Sequence, residues 1–178
     1  MDLFGDIITI QTLRIINFMI QLYKPNSRNL GCAFSFNLGQ TGKNKEPCVY
    51  MNAVMQHSWN EKTKNGSFSE NAKNPEKTII VKLNEFELGG LILAIENNTD
   101  YNAFHTYDDN KTSIQFKPYT KQNGAKAFSL SITKNSALKF GIGIELGEAC
   151  AIREFFRYVL NRVFDARCSN NLGNRSHE

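Results

Sequence analysis

Two lysines flank an aromatic residue in one short stretch of this sequence. Lys117, Tyr119 and Lys121 form the run Lys-Pro-Tyr-Thr-Lys, and Lys126 follows after the next turn. Ammonium groups bind phosphates, and an exposed ring between them can stack on a base, contributing about 1–3 kcal/mol per base. This run is the strongest local candidate for binding a single-stranded polyanion. An ordinary exposed hairpin is the alternative interpretation.

Other basic and aromatic residues extend this candidate site. His105 and Tyr107 share one face of the neighbouring predicted strand, and Trp59 lies at the mouth of a long polar loop. A core position is the alternative for Trp59, and an ordinary hydrogen-bonded sheet histidine is the alternative for His105. Four further candidates are predicted to crowd the turns around the second strand: Lys24, Arg28, Lys43 and Lys45.

Motifs for catalysis or for a metal are absent from the sequence. Asp108 and Asp109 are typical of a turn, and no GxxxxGK[ST], HExxH or GxSxG pattern occurs. Glu87 and Glu148 lie at predicted helix starts, where a carboxylate complements the helix dipole. The four cysteines form no CxxC pair, and only three histidines are present. We therefore expect a protein that is not an enzyme and has no cofactor or metal.

Composition indicates a soluble globular chain. Of 178 residues, 41% are hydrophobic, which suffices for a core, and no apolar run approaches the length of a membrane span. The net charge of +4 is mild, but the segment 111–139 contains six lysines and no acid. Such sorting is expected of a polyanion-binding face, although lysines on strands and turns also serve solubility. Unpaired thiols favour a cytoplasm-like compartment, with an organelle left open. The high asparagine content fits an AT-rich genome, such as that of a phage or a bacterium.

Two windows of the chain repeat the same pattern at an offset of 61 residues. Residues 81–96 and 142–157 each read as a short alternating strand followed by an amphipathic helix, with Glu87 matching Glu148. Four strands are predicted in each half, at 15–24, 30–38, 49–59 and 78–83, and then at 102–108, 112–119, 126–133 and 138–144. The segment 60–77 is predicted to be a mobile loop.

The pattern predicts an α+β fold of two ββββα repeats. Each repeat is an antiparallel four-stranded sheet whose apolar face is covered by one amphipathic helix. We expect a single domain over 14–168, with repeats at 14–98 and 99–168, and flexible ends at 1–13 and 169–178.

A duplicated ββββα unit of this size resembles the Whirly fold. That fold is shared by plant Whirly proteins, by kinetoplastid mitochondrial guide-RNA-binding proteins and, as a single unit, by PC4-like coactivators. The lysine-rich KGKAAL motif of the Whirly second strand is absent, since this strand reads LGCAFSF over 30–36. No family residue is therefore transferred to this chain.

The resemblance implies a single-stranded DNA-binding protein with little sequence preference, assembled through its helices as a homo-oligomer, with a tetramer favoured. Protection of exposed strands in replication or recombination, in a phage or a bacterium, would follow. RNA binding or annealing by the same fold is one alternative. A β-rich virion or assembly protein that binds no nucleic acid is another.

Overall fold

The computed structural model describes residues 18–175, except for the side chains of residues 107 and 170–175. The first four-stranded sheet, sheet 1, has the order β1-β2-β3-β6 and is antiparallel throughout. Its strands are β1 (Met19–Lys24), β2 (Cys32–Thr41), β3 (Glu46–Met55) and β6 (Thr78–Leu83). A helix, α1 (Glu85–Asn97), follows β6 directly.

The second four-stranded sheet, sheet 2, repeats this arrangement in the order β10-β9-β8-β7, again antiparallel. Its strands are β7 (Tyr101–Tyr107), β8 (Asn110–Thr120), β9 (Lys126–Lys134) and β10 (Leu138–Glu145), and α2 (Leu146–Arg175) follows. The α+β class with antiparallel sheets is thus confirmed. The limits predicted for the repeats and for the chain ends stay predictions. Neither helix in the described range is long and apolar enough to cross a membrane.

One hydrophobic core joins the two sheets and the two helices. Alternation puts every second residue of a strand on the same face, so one face of each sheet enters this core. In sheet 1 this face includes Phe34, Phe36 and Met51, and in sheet 2 it includes Ile132 and Phe140, all at most 1% exposed. In α2 the amphipathic pattern gives a buried stripe at three- and four-residue spacing, with all five residues at most 4% exposed: Ala149, Ile152, Phe156, Val159 and Val163.

In both helices the predicted glutamate caps the first turn, because its carboxylate accepts a backbone N–H three residues earlier. In α1 the Glu87 carboxylate accepts the Asn84 N–H at 2.8 Å, and the Asn84 side chain accepts the Glu87 N–H at 3.0 Å. In α2 the Glu148 carboxylate accepts the Glu145 N–H at 2.8 Å. Each carboxylate satisfies a backbone donor that the first helical turn leaves free. The two glutamates therefore mark equivalent helix starts.

The segment between β3 and β6, called the insert (residues 56–77), differs from the predicted mobile loop. It contains a short hairpin, β4 (Ser58–Asn60) with β5 (Asn65–Ser67), and a 3-10 turn at Asn71–Lys73. Phe68 is 8% exposed, and its ring lies 4.6 Å from that of Tyr23. The Tyr23 hydroxyl donates to the Gly66 carbonyl at 2.5 Å. These contacts, distant in sequence, hold the insert against β1.

Gly90 is required by packing, and its substitution is predicted to destabilise the fold. A Cβ at this position would lie 2.3 Å from Cε2 of Tyr101, so the ring of β7 occupies the space that any larger residue needs. Gly90→Ala is expected to lower the free energy of unfolding by about 1–3 kcal/mol in urea titrations.

Gly147, at the exposed start of α2, provides the matched control. A Cβ there would have nothing within 4 Å. Gly147→Ala is expected to leave stability unchanged or to raise it by up to about 1 kcal/mol, because alanine favours the helix. Equal losses in both variants would contradict the role of the Tyr101 ring.

Candidate nucleic-acid interface

The face of sheet 2 that points away from the core is open and built from small polar residues. Because side chains alternate along a strand, the neighbours of the buried residues of β7–β10 all point outward. We call this surface the outer face of sheet 2, and its residues are Asn102, Phe104, Thr106, Lys111, Ser113, Gln115, Lys117, Tyr119, Ala127, Ser129, Ser131, Thr133, Lys139, Gly141, Gly143 and Glu145. Its centre is a floor of serine, threonine and glycine.

Two aromatic rings border this floor. Phe104 belongs to the edge strand β7 and is 65% exposed, which is unusual for a phenylalanine in a sheet. Tyr119 of β8 is 40% exposed, and its hydroxyl lies 2.9 Å from where a Cβ of Gly143 on β10 would stand. Since β8 and β10 are two strands apart, about 10 Å, the Tyr119 ring extends across the sheet surface. Both rings are accessible for stacking.

Three lysines supply positive charge to the same face. Lys139 lies in the same cross-strand row as Phe104. In this row Phe104 pairs with Ser113, Ser113 pairs with Thr133, and Thr133 pairs with Lys139. Lys111 and Lys139 appear in none of the ion pairs found in the described part of the chain. Lys117 is only loosely paired, with its Nζ 3.8 Å from Asp100 Oδ2 and both groups about half exposed. Such exposed pairs contribute little and exchange readily for a phosphate.

The other lysines of the predicted hairpin are placed differently. Lys121 pairs with Glu145, and the hydrogen bond that its ammonium group donates to this carboxylate raises the pKa of the lysine. Lys126 is exposed at the start of β9 and lines a small cavity of about 160 Å³ with Tyr119 and Pro118. The predicted run Lys117–Lys121 is thus brought to one end of the outer face, with only part of its charge free.

Lys24 and His105 lie on the core side of their sheets, not on an outward binding face. They occupy equivalent positions, since Ile20, Leu22 and Lys24 face the core from β1 as Tyr101, Ala103 and His105 do from β7. Each contacts the helix-start glutamate of the other repeat. Lys24 Nζ lies 2.5 Å from Glu148 Oε1, and His105 Nε2 lies 2.6 Å from Glu87 Oε1. The two residues therefore link the two halves of the fold.

The environment of Glu148 reflects its contact with Lys24. Burial acts to raise the pKa of this carboxyl, but the hydrogen bonds from Lys24 and from the Glu145 N–H outweigh it, so that the pKa lies below its ordinary value. The glutamate is thus held ionised beside the lysine.

The basic residues predicted in the turns around β2 lie at its two opposite ends and not in one cluster. Arg28 lies in the turn before β2, whereas Lys43 and Lys45 lie in the turn after it. Because β2 has ten residues, the two turns are about 30 Å apart. Trp59 is half-buried in β4, and its Nε1 is buried without a hydrogen-bond partner among residues 18–175. Tyr107 ends β7, and its side chain lies outside the described residues.

The outward face of sheet 1 is not equivalent to that of sheet 2. The insert covers one end of it, and Ala33 on this face is only 6% exposed. The lysine in the paired rows of this face is Lys82, which donates to the Thr41 hydroxyl at 3.3 Å. An open, lysine-bearing face is thus found on sheet 2.

Sequence reasoning missed Phe104, Lys111 and Lys139. For Phe104 the sequence contains a signal of exposure. This residue alternates with the core-facing residues of β7 and lies between polar residues at 102 and 106. An apolar ring in the polar phase of an alternating strand indicates an exposed position.

The fold is similar to that in the crystal structure of WHY1 from Arabidopsis thaliana, with a TM-score of 0.60. The alignment covers 90% of this chain and 92% of that chain, at 13% sequence identity. A scan of protein families and a search of curated proteins found no match to this sequence. The likeness supports the predicted Whirly-like fold, and at this identity it shows the fold alone.

Proposed function

We propose that the protein is a non-enzymatic single-stranded DNA-binding protein that holds its strand on the outer face of sheet 2. The observation that supports this most is the combination on one open face of two accessible rings, three lysines and a polar floor. The Whirly-like fold adds coarse support for nucleic-acid binding. Protection of exposed strands in replication or recombination is the role that we infer.

The proposed binding mode follows from the chemistry of the face. Lys111, Lys117 and Lys139 contact phosphates, while Phe104 and Tyr119 stack on bases. Every base has a flat face, so stacking carries little sequence preference, and salt-sensitive lysine contacts supply much of the affinity. The small residues of the floor let the strand approach the sheet closely.

The proposal is tested by fluorescence anisotropy with a labelled poly-dT strand of about 30 nucleotides. We expect tight binding that weakens strongly between about 50 and 200 mM salt and that duplex DNA does not displace. A matched RNA strand decides between DNA and RNA. Absence of binding at low salt would refute the proposal and favour an assembly role.

We also propose that the protein forms a homo-oligomer through α1, with a tetramer as the expected state. Phe86 is 83% exposed and Leu93 is 57% exposed, and their spacing of seven residues puts them on one side of the helix. Exposed apolar residues aligned in this way are typical of an interaction surface.

Leu93→Glu is predicted to dissociate this oligomer. A buried carboxylate at a helix contact is costly, so sedimentation velocity should show the wild-type assembly replaced by monomer at equal concentration. Asn97→Glu, at the exposed end of α1, is the control for added charge. A wild-type monomer, or an assembly that survives Leu93→Glu, would contradict the assignment of this face.

A further inference from the structure

β6 leaves one edge of sheet 1 unpaired. It pairs with β3 on one side, and within residues 18–175 no strand pairs with its other side. An edge of this kind presents a row of backbone donors and acceptors that can accept another strand.

The register identifies the backbone groups that point outward. The Met55 N–H donates to the Lys77 carbonyl at 3.0 Å, so residues 77, 79, 81 and 83 exchange hydrogen bonds with β3. The alternate residues Thr78, Ile80 and Lys82 therefore direct their N–H and C=O groups to the open edge. This edge is about 13 Å long, enough for a strand of four or five residues.

The edge strand of sheet 2 that corresponds to β6 is built differently. Gly141 of β10 lies 61 residues after Ile80, at the offset that relates β6 to β10. Where β10 has no side chain, β6 presents an isoleucine that is 67% exposed. Natural edges are usually protected by charge or by irregularity, and an exposed isoleucine instead favours contact with a partner.

A cleft of about 490 Å³ runs along this edge. One wall is β6 from Thr78 to Lys82, and the other comes from the end of sheet 2 and includes Thr112 and Lys134. Two lysines and His105 line the cleft, and none of its lining residues is acidic. The carboxylate that faces His105 is that of Glu87, already in contact with it at 2.6 Å. The cleft is therefore electropositive.

We propose that this β6-edge cleft binds an extended acidic segment of a partner protein by strand addition. The incoming strand pairs with the outward groups of Ile80 and Lys82, and its carboxylates meet Lys82 and Lys134. A nucleic acid fits less well, because its phosphates accept hydrogen bonds but give none to the outward carbonyl groups. The docking surface is separate from the outer face of sheet 2, so both can be occupied together.

The test uses a labelled peptide of about eight residues that alternates valine with aspartate, and the same peptide with lysine for aspartate. Ile80→Pro removes an outward N–H without breaking a bond to β3 and should weaken binding of the acidic peptide about tenfold. Lys134→Ala should weaken it about threefold. Lys62→Ala, at the exposed tip of the insert hairpin, is the matched control and should have no effect.

Amide chemical shifts give a second readout that does not depend on folding of a variant. Addition of the acidic peptide should shift the Ile80 and Lys82 amides more than the Val81 amide, which already bonds to β3. Equal binding of acidic and lysine peptides, or no binding of either, would overturn the proposal. Displacement of the peptide by poly-dT would assign the cleft to nucleic acid, and loss of an oligomer in Ile80→Pro would assign it to a second copy. Either result refutes peptide docking and leaves DNA binding on sheet 2 to be judged by its own variants.

Discussion

Phe104→Ala is expected to weaken binding of single-stranded DNA about tenfold. Removal of one stacking ring costs about 1–3 kcal/mol, and 1.4 kcal/mol corresponds to a factor of ten in affinity. Phe104 is 65% exposed and contributes no buried core packing, so the variant should unfold at the wild-type temperature. The measurement is anisotropy with poly-dT at fixed salt, together with a thermal melt.

Ile80→Ala is the control for loss of an exposed apolar side chain. Ile80 lies on the edge strand of sheet 1 and is 67% exposed, which matches Phe104 in position and accessibility. We expect its affinity for DNA to stay within about twofold of wild type, because the residue is not aromatic and lies on the other sheet. Equal losses in the two variants would show that the effect is not specific to the proposed face.

The role of the lysines on the outer face of sheet 2 is tested through the salt dependence of the affinity for single-stranded DNA. For single strands the slope of log affinity against log salt is about −0.7 per phosphate contact, so Lys117→Ala with Lys139→Ala should make the slope shallower by about 1.4. Lys73→Ala, in the insert, should leave it unchanged. An unchanged slope in the double variant would remove these lysines from the interface.

Gln56→Ala is expected to lower the free energy of unfolding by about 3 kcal/mol. The side chain is 5% exposed and connects the turn before β2 to the insert. Its Oε1 accepts the N–H groups of Asn26 and Gly31 at 2.8 and 3.2 Å. Its Nε2 donates to the carbonyl groups of Asn26 and Ser58 at 2.9 and 3.0 Å. Truncation leaves these backbone groups without partners, and buried unsatisfied groups are costly.

Thermal unfolding measures the loss of stability in Gln56→Ala. A loss of this size corresponds to a fall in melting temperature of about 6–12 °C for a chain of this length. Gln40→Ala, at an exposed position of β2, is the control and should change stability by less than about 0.5 kcal/mol. A Gln56→Ala variant as stable as this control would mean that the insert is held by other contacts, such as that between Tyr23 and Phe68.

The order of strands and helices was predictable from the sequence because periodicity reports burial directly. Strands at 78–83, 126–133 and 138–144 agree with the structure to within one residue. The offset between Glu87 and Glu148 located both helix starts, since the capping geometry needs a carboxylate at the same position in each. The part of the first predicted strand before residue 18 lies outside the described residues.

Other features depend on contacts that no local pattern records. The insert is ordered by Gln56, and by Tyr23, which is 43 residues from its partner Gly66. His105 was predicted as a binding candidate, but the packing of α1 puts Glu87 beside it. Lys121 was predicted to bind phosphate, but the end of β10 brings Glu145 to it. In each case the partner is not a sequence neighbour and is brought close by the packing of separate elements.

The most direct test of DNA binding by the outer face of sheet 2 is to map the DNA contact residue by residue. Backbone amide shifts should be followed by NMR while a short poly-dT strand is added at low salt. We predict that the largest shifts occur at outward positions of sheet 2, such as Phe104, Ser131 and Lys139, while the outward positions of sheet 1 stay unchanged. Shifts confined to sheet 1 and its turns, or none at saturating DNA, would contradict the claim that this face binds single strands.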